Sequence, residues 1–208
     1  MRTILVINPK GGCGKTTIST NLASYYAVWD VKTALADYDT QRSSLDWLDQ
    51  RPDTVNPIQG IAGRGSQIKT EPGTQRLIID APARTEIKHL QLLAELSQVI
   101  LIPVLPSPID IRAASVFIAE LLMHPKIVRS HQIAVLANRV REYTLIYQNL
   151  EKFLSQQLKI PFITHLRDSQ NYIRAAAGGI GIFEMAPYQV AADIEQWRPL
   201  INWIEKKK

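Results

Sequence analysis

The residues most able to do chemistry stand close together near the amino terminus, in the run NPKGGCGKTT at residues 8–17. This run follows a short apolar segment and precedes one of helical length, which is the setting of a phosphate-binding loop. Its glycines allow consecutive backbone N–H groups to converge on phosphate oxygens, and the helix adds the positive pole of its dipole. Lys15 would neutralise charge near the β- and γ-phosphates, and Thr16 would offer its hydroxyl to Mg²⁺. The predicted nucleotide-binding residues of the loop are Gly11, Gly12, Cys13, Gly14, Lys15, Thr16 and Thr17.

Two features separate this loop from the ordinary Walker A motif, G-x-x-x-x-G-K-S/T. Pro9 stands where that motif has its first glycine, and an additional lysine, Lys10, stands five residues before Lys15. Fixed positive charge stabilises the charge that develops on a transferred phosphoryl group, so a second lysine near the phosphates makes chemical sense. The alternative for Lys10 is a solvated lysine at the mouth of the loop.

Three aspartates at the ends of predicted strands could serve the same chemistry. Asp37 and Asp39 end the second strand, and Asp80 ends the apolar segment LIID. Residues that bind ligands in a doubly wound sheet lie just beyond the carboxyl ends of its strands. The segment LIIDAPA looks like a Walker B element, in which Asp80 would hold Mg²⁺ through a water molecule; the alternative is a cap for the next helix. A positioned water, Mg²⁺ and two lysines would be sufficient for phosphoryl transfer.

Short apolar runs alternate with amphipathic segments along the whole chain. This pattern predicts an α/β fold, with a doubly wound, mostly parallel sheet and helices on both faces. The predicted strands are Thr3 to Ile7, Thr33 to Ala36, Arg76 to Ile79, Gln98 to Val104, Gln132 to Ala137 and Phe162 to Thr164. The predicted helices are Lys15 to Val28, Ser43 to Asp49, Glu86 to Leu96, Ile111 to His124, Thr144 to Leu158, Ser169 to Ala177 and Ala191 to Glu205.

Two segments interrupt this alternation. Residues 51–73 are rich in Pro, Gly, Thr and Gln, and we expect a surface excursion there with at most one short strand. The segment from Pro103 to Pro108 follows a buried strand, and its prolines are expected to exclude both helix and strand pairing.

The composition is that of one soluble domain. The chain has 208 residues, 46% of them apolar, so we expect a single P-loop domain over residues 1–208. The net charge of +5 weakly favours an anionic partner. The single cysteine, Cys13, excludes an internal disulfide and fits a reducing cytoplasm. The first apolar run is too short for a signal peptide, and no stretch is long enough to cross a membrane.

The sequence resembles the ParA/MinD family of deviant Walker A ATPases, and most closely its small ParF-like branch. The resemblance is carried by KGGCGKTT, by DYDTQ at residues 37–41, and by LRDS through GGIGIF at residues 166–183. It implies a nucleotide-sandwich dimer in which Lys10 crosses to the ATP of the other subunit. The catalytic residues that it implies are Lys10, Lys15 and Asp39, and the residues around the metal are Thr16, Asp37 and Asp80. Thr40 replaces the proline that is usual in this switch region, which is expected to loosen the loop.

The resemblance also assigns residues outside the loop. Family members carry an asparagine that hydrogen-bonds adenine, which implies that Asn138 and Arg139 contact the base; the alternative is a turn-forming asparagine. The segment with Ser107 and Asp110 resembles a stretch near the nucleotide and dimer interface. ParA-like members bind DNA without sequence preference through basic residues. The DNA-binding candidates are Arg167 and Arg174, followed by Arg139, Arg141 and Lys206 to Lys208.

The resemblance therefore implies an ATPase that uses ATP and Mg²⁺, forms a homodimer and binds non-specific DNA in the cytoplasm, on the nucleoid. A ParB-like or cargo adaptor protein would stimulate hydrolysis. The cargo stays open between a plasmid, a chromosome region and a protein body such as a carboxysome.

Two other function classes are open to a chain of this kind. A MinD-like membrane-site selector is suggested by apolar residues at helical spacing beside the terminal lysines, namely Ile194, Trp197, Ile201 and Ile204. Core packing is the favoured interpretation, because Pro199 lies within that pattern and no further amphipathic segment follows, so no membrane partner is expected. Reductases that bridge an iron–sulfur cluster across a similar dimer need two cysteines per subunit, and this chain has one.

Overall fold

The computed structural model describes residues 1–83, 87–141 and 160–206. Its strands are β1 (Arg2–Val6), β2 (Thr33–Asp37), β3 (Gln59–Ala62), β4 (Arg76–Asp80), β5 (Val99–Val104), β6 (Gln132–Val140) and β7 (Phe162–Arg167). These strands form one sheet in the order β3-β2-β4-β1-β5-β6-β7. Every neighbouring pair is parallel, which confirms the predicted sheet.

Helices cover both faces of the sheet. They are α1 (Lys15–Val28), α2 (Ser43–Asp49), α3 (Ile87–Glu95), α4 (Pro108–Leu122), α5 (Pro125–Ser130), α6 (Gln170–Ala177) and α7 (Pro187–Glu205), with a 3₁₀ turn at Ile182–Glu184. One core cluster joins the sheet to α3, α4 and α5, and a second joins its other face to α1, α2, α6 and α7. The doubly wound arrangement is therefore confirmed, and the central strands are apolar because both of their faces are buried.

Strand register brings the candidate carboxylates together. Asp80 pairs with Val6 on one side and with Asp37 on the other, so β1, β2 and β4 end at the same level. The loop between β1 and α1 starts at this level as well. Parallel strands thus place the glycine loop and two aspartates at one edge of the sheet.

Most predicted elements are confirmed, and their ends differ by a few residues. The helices predicted at Lys15 to Val28 and Ser43 to Asp49 have the observed bounds, and the single strand expected within residues 51–73 is β3. The last helix begins at Pro187 rather than Ala191, and the short helix α5 was not predicted. The helix predicted at Thr144 to Leu158 lies outside the described residues, as do the DNA-binding candidates Lys207 and Lys208.

The prediction that the prolines after β5 exclude helix and strand pairing is wrong at both ends. Pro103 pairs in register with Leu136 of β6. On the side of β5 that faces β1, the carbonyl of Pro103 accepts a hydrogen bond from the side chain of Asn8. The pairing of β1 with β5 has already ended there, so the N–H that proline lacks would not have joined a strand ladder. Pro108 is the first residue of α4 after the N-cap Ser107, a position at which proline is favoured.

The last helix packs into the core. Trp197, Leu200 and Ile204 are fully buried, and Trp197 donates a hydrogen bond to the Tyr172 hydroxyl at 2.9 Å. The apolar face that could have served a membrane is therefore turned toward the sheet. Among the described residues, no helix has both the length and the apolar character needed to cross a membrane.

Candidate nucleotide-binding site

The phosphate loop depends on glycine at two positions. Gly12 and Gly14 have positive φ angles of 78° and 90°, a region that other residues enter only with strain. A Cβ atom on Gly14 would also collide with Nδ2 of Asn138. Gly14 is the N-cap of α1 and provides no side-chain cap, so the first N–H groups of the helix are available to an anion.

Lys15 lies across the loop that precedes it. Its side chain is buried, and Nζ donates hydrogen bonds to the carbonyl oxygens of Asn8 at 3.0 Å and of Lys10 at 3.2 Å. Carbonyl oxygens hold an ammonium group less strongly than phosphate does. The lysine is therefore positioned at the loop before any phosphate arrives.

Asn8 and Cys13 organise the loop, although only Cys13 was among the predicted residues. Asn8 donates to the carbonyl of Pro103 at 2.7 Å and accepts from the backbone N–H of Lys10 at 2.9 Å. The thiol of Cys13 donates to the carbonyl of Lys10, and burial raises the pKa of this thiol. A thiol that stays protonated is a structural group rather than a nucleophile.

Asp80 lies beneath the loop and is almost completely buried. Its Oδ1 accepts a hydrogen bond from Ser19, whereas its Oδ2 is buried with no hydrogen-bond partner within the described residues. Burial raises the pKa of Asp80 to about 7, the Asp37 carboxylate contributes to that rise, and the nearby Thr16 hydroxyl opposes it. A carboxylate oxygen without a partner, beside a threonine hydroxyl, fits a hydrated Mg²⁺ ion.

No group of three His, Cys, Asp or Glu side chains forms a metal cage in the part of the chain that is described. This result is compatible with magnesium, which usually takes one or two protein ligands and completes its octahedron with waters and substrate phosphates.

Asp37 organises the loop that follows β2. Its Oδ2 accepts from the N–H and the hydroxyl of Ser44 at 2.9 and 2.7 Å and from the N–H of Leu45 at 3.3 Å. Its Oδ1 accepts from the N–H of Asp39 at 2.8 Å. Four donors thus occupy this carboxylate, which caps α2 and orients Asp39. The place of Asp37 in a magnesium shell stays a prediction, and in this structure its contacts are to the switch loop.

Asp39 joins two loops at the edge of the cleft. Its Oδ1 accepts from the N–H of Gln41 at 3.0 Å, and its Oδ2 accepts from the N–H of Ala83 at 3.2 Å. Ala83 follows Asp80 by three residues, so one carboxylate bridges the segments after β2 and β4. A group held from both sides is suited to orienting a water molecule.

The loop and Asp39 line a cleft with a volume of about 630 Å³, which is in the range of ligand sites, whereas Cys13, Asp37 and Asp80 are not among its lining residues. The lining residues are Gly11, Gly12, Gly14, Lys15, Thr16, Thr17, Asp39, Thr40, Gln41, Ser43, Ala83 and Arg139. Lys10 does not belong to this lining. Its half-exposed ammonium lies 3.9 Å from Oδ1 of Asp110 at the start of α4.

A second cleft adjoins the first beyond Thr17 and extends over the ends of β6 and β7. Asn138 and Arg139 line it, together with Ser169 and Tyr172, which the sequence did not single out for the site. Asn138 is buried, and its Nδ2 donates to the carbonyl of Cys13 at 2.9 Å. The structure therefore gives Asn138 a role in supporting the loop, and its contact with a base stays a prediction.

The two leading DNA-binding candidates differ in their surroundings. Arg167 forms a two-pronged ion pair with the buried Asp193, at 2.6 and 3.1 Å, and it also lines the second cleft. Hydrogen bonds from Arg167 and Asn171 lower the pKa of Asp193 despite its burial. Arg174 is exposed on α6. Arg174 is thus better placed than Arg167 to meet a polyanion, and both roles stay predictions.

The glycine loop between β1 and α1, with carboxylates at the ends of β2 and β4, defines a P-loop nucleotide-binding protein. The family model of the CobQ/CobB/MinD/ParA nucleotide binding domain matches residues 4–182. The chain belongs to this family of nucleotide-binding proteins.

Individual relatives support the same assignment. The chain is 28% identical over 197 residues to maintenance of carboxysome distribution protein A from Halothiobacillus neapolitanus, a match that covers 88% of this chain and 87% of that protein. An ATP complex of a McdA variant from Cyanothece has a TM-score of 0.71 and 16% identity, covering 100% of this chain and 98% of that one. The MinC:MinD cell division protein complex from Aquifex aeolicus has a TM-score of 0.72 and 20% sequence identity, covering 100% of this chain and 98% of that one. These two solved structures establish the shared fold.

Proposed function

We propose that this chain hydrolyses MgATP as a homodimer and uses the nucleotide cycle to position a cargo on DNA. The observation that carries the proposal is the division of the two loop lysines. Lys15 lies in the cleft of its own subunit, whereas Lys10 lies outside it and remains half exposed. A lysine that the family motif requires, but that its own cleft does not use, is available to a second subunit.

The chain's own residues supply most of what hydrolysis needs. The loop N–H groups and the start of α1 bind phosphate oxygens, and Lys15 exchanges its carbonyl partners for them. Asp39 orients the attacking water from its position between Gln41 and Ala83. When bound near Thr16 and Asp80, Mg²⁺ supplies positive charge to the phosphates. Lys10 of the other subunit adds a cation at the bond that breaks.

The dimer would couple nucleotide state to DNA binding. Residues on two subunits together offer more phosphate contacts than one subunit does, so affinity for DNA would rise when ATP closes the dimer. Arg174 is the exposed candidate for such a contact. A partner that joins the cargo would then release the complex by stimulating hydrolysis, and the similarity to a carboxysome distribution protein supports a protein body as a cargo.

The membrane alternative has less support. Its apolar residues Trp197 and Ile204 are buried against the sheet, and Ile201 is only 7% exposed. Anchoring through this face would require α7 to leave the core, at a cost of several kcal/mol for the tryptophan alone.

A retention experiment tests the proposal. The purified chain is passed over immobilised DNA and, separately, sedimented with anionic liposomes, each with ATP, ADP or no nucleotide. The expected result is retention on DNA with ATP only. Retention on liposomes but not on DNA would favour the membrane alternative and contradict the proposal.

A matched pair of variants sharpens this experiment. Arg174→Ala should weaken DNA retention and reduce the salt dependence by about 0.9 in log K per log salt for each phosphate that the variant no longer neutralises. Arg198→Ala is the control, because Arg198 is also exposed on the surface but is paired with Glu195. Equal weakening in both variants would indicate a general charge effect and remove Arg174 from the interface.

A further inference from the structure

The outward face of α4 carries large apolar side chains at regular intervals. Ile109, Val116 and Met123 are exposed to 72%, 56% and 76% and are spaced seven residues apart; Met123 is the C-cap residue directly after α4 and keeps a helical backbone conformation. Residues seven apart return to nearly the same side of a helix. These three side chains therefore form one exposed stripe, which we call the α4 stripe.

The stripe lies opposite the buried side of α4. Ala114, Phe117, Ile118 and Leu121 are at most 3% exposed and pack in the core cluster of that face of the sheet. The helix thus meets its core requirement with one side and still presents large apolar groups on the other. The outer side of a surface helix is normally polar, so apolar residues there indicate contact with a partner.

The order of residues along the stripe is symmetric about Val116. Four residues before Val116 stands Arg112, and four residues after it stands Glu120. Three residues to either side stand the small residues Ala113 and Ala119. Seven residues to either side stand the two remaining apolar positions of the stripe.

This symmetry is what an antiparallel pair of identical helices requires. When two copies of α4 meet about a two-fold axis at Val116, each residue faces the one at the same distance on the other side of Val116. Arg112 then faces Glu120 of the second copy twice, and Ala113 faces Ala119, which allows close approach of the helices. Within the described part of the chain, Arg112 and Glu120 have no ion-pair partner, so both charges are available.

We propose that the α4 stripe is a homotypic interface, at which α4 of one chain packs antiparallel against α4 of a second copy about a two-fold axis at Val116. The occupant is a second copy rather than an unrelated helix. An unrelated partner would not require that opposite charges, small residues and large apolar residues stand at equal distances on the two sides of Val116.

This interface is distinct from the one proposed to share lysines. Lys10 contacts Asp110, which stands six residues before Val116. In the antiparallel pair the two Asp110 positions are about 18 Å apart along the axis, at about 1.5 Å per residue, so Lys10 could not reach the phosphates of the second copy. A chain with two different two-fold faces assembles beyond the dimer. We therefore expect the nucleotide-dependent dimers to associate further through α4.

Charge reversal tests the interface. The self-association of the nucleotide-free full chain is measured by sedimentation velocity over a wide concentration range, since without nucleotide the lysine-sharing dimer is not expected. Arg112→Glu and Glu120→Arg should each weaken association about tenfold or more, because each places like charges opposite one another twice. The double variant should restore association, since opposite charges then face each other again with their positions exchanged. Lys126→Glu, an exposed charge reversal on α5, is the control and should leave association unchanged.

The outcomes separate this proposal from the proposed function. Lys10→Ala should keep the α4 association, and the α4 variants should keep the dimer that ATP induces. A parent chain that stays monomeric without nucleotide at all concentrations would overturn the α4 interface. So would a double variant as weak as the single ones.

Discussion

The two lysines of the phosphate loop stand five residues apart and have opposite surroundings. Lys15 is buried and donates to two loop carbonyls, whereas Lys10 is 42% exposed in its side chain and its ammonium lies 3.9 Å from a single carboxylate oxygen. The loop therefore fixes one cation in its own cleft and leaves the other at the surface. Two lysines that are close in the chain therefore have different surroundings in the fold, one inside the cleft and one at the surface.

Removing the buried lysine should have the largest effect. Lys15→Ala should lower nucleotide affinity by at least about a hundredfold, because it removes the cation that faces the β- and γ-phosphates. Isothermal titration with an ATP analogue measures this change. Arg198→Ala is a surface control that removes one positive charge as well. If the parent and the Lys15 variant bind the analogue with equal affinity, Lys15 does not contact the phosphates.

Removing the exposed lysine should leave ATP binding intact but prevent dimerisation. Lys10→Ala should bind ATP within a few-fold of the parent, because Lys10 does not line the cleft. It should lose both the ATP-induced dimer and turnover, since it removes the cation offered to the neighbour. Light scattering and phosphate release measure the two effects. A variant that fails to bind ATP would reverse the assignment of the two lysines.

Asp39 should affect the chemical step alone. Asp39→Ala should bind ATP and dimerise, but hydrolyse at least about a hundredfold more slowly, because no carboxylate then orients the water. Single-turnover phosphate release measures this. Hydrolysis at the parent rate would remove Asp39 from the mechanism.

A glycine pair tests how rigidly the loop is built around Lys15. Gly14→Ala should lower the free energy of unfolding by about 2 kcal/mol or more, because Gly14 has a positive φ and its new Cβ would meet Asn138. Gly11→Ala should change it by no more than about 0.5 kcal/mol, since the added Cβ would lie 3.8 Å from Ala83. Denaturant unfolding without nucleotide compares them. Equal destabilisation would show that the strain does not reside at Gly14.

Local sequence patterns predicted the fold and most of the site. The glycine loop and the strands before Asp37 and Asp80 are contiguous motifs, and parallel pairing then brings them to one edge. The proline prediction failed because it considered Pro103 without its neighbours. At Pro103 the pairing of β5 with β1 has already ended, whereas its pairing with β6 continues. This difference depends on the order and lengths of the strands in the sheet, and it cannot be read from the sequence of the proline segment alone.

The roles of polar side chains were harder to predict, because they depend on long-range contacts. The carboxylate of Asp37 is occupied by Ser44 and Leu45, and the amide of Asn138 lies against the loop at Cys13, 125 residues earlier. The Asn138 contact follows from tertiary packing, and the Asp37 contacts follow from the fold of the loop between β2 and α2, seven and eight residues further along the chain.

The most direct test of the central claim mixes two inactive variants. Lys10→Ala keeps Lys15 and can bind ATP, and Lys15→Ala keeps Lys10 and can lend it. If Lys10 acts on the ATP of the neighbouring subunit, a mixed dimer contains one complete active site, and phosphate release should return on mixing although each variant alone is inactive. If the mixture stays as inactive as its components while both proteins remain folded, Lys10 does not act across the dimer, and the proposed sharing of lysines between subunits is contradicted.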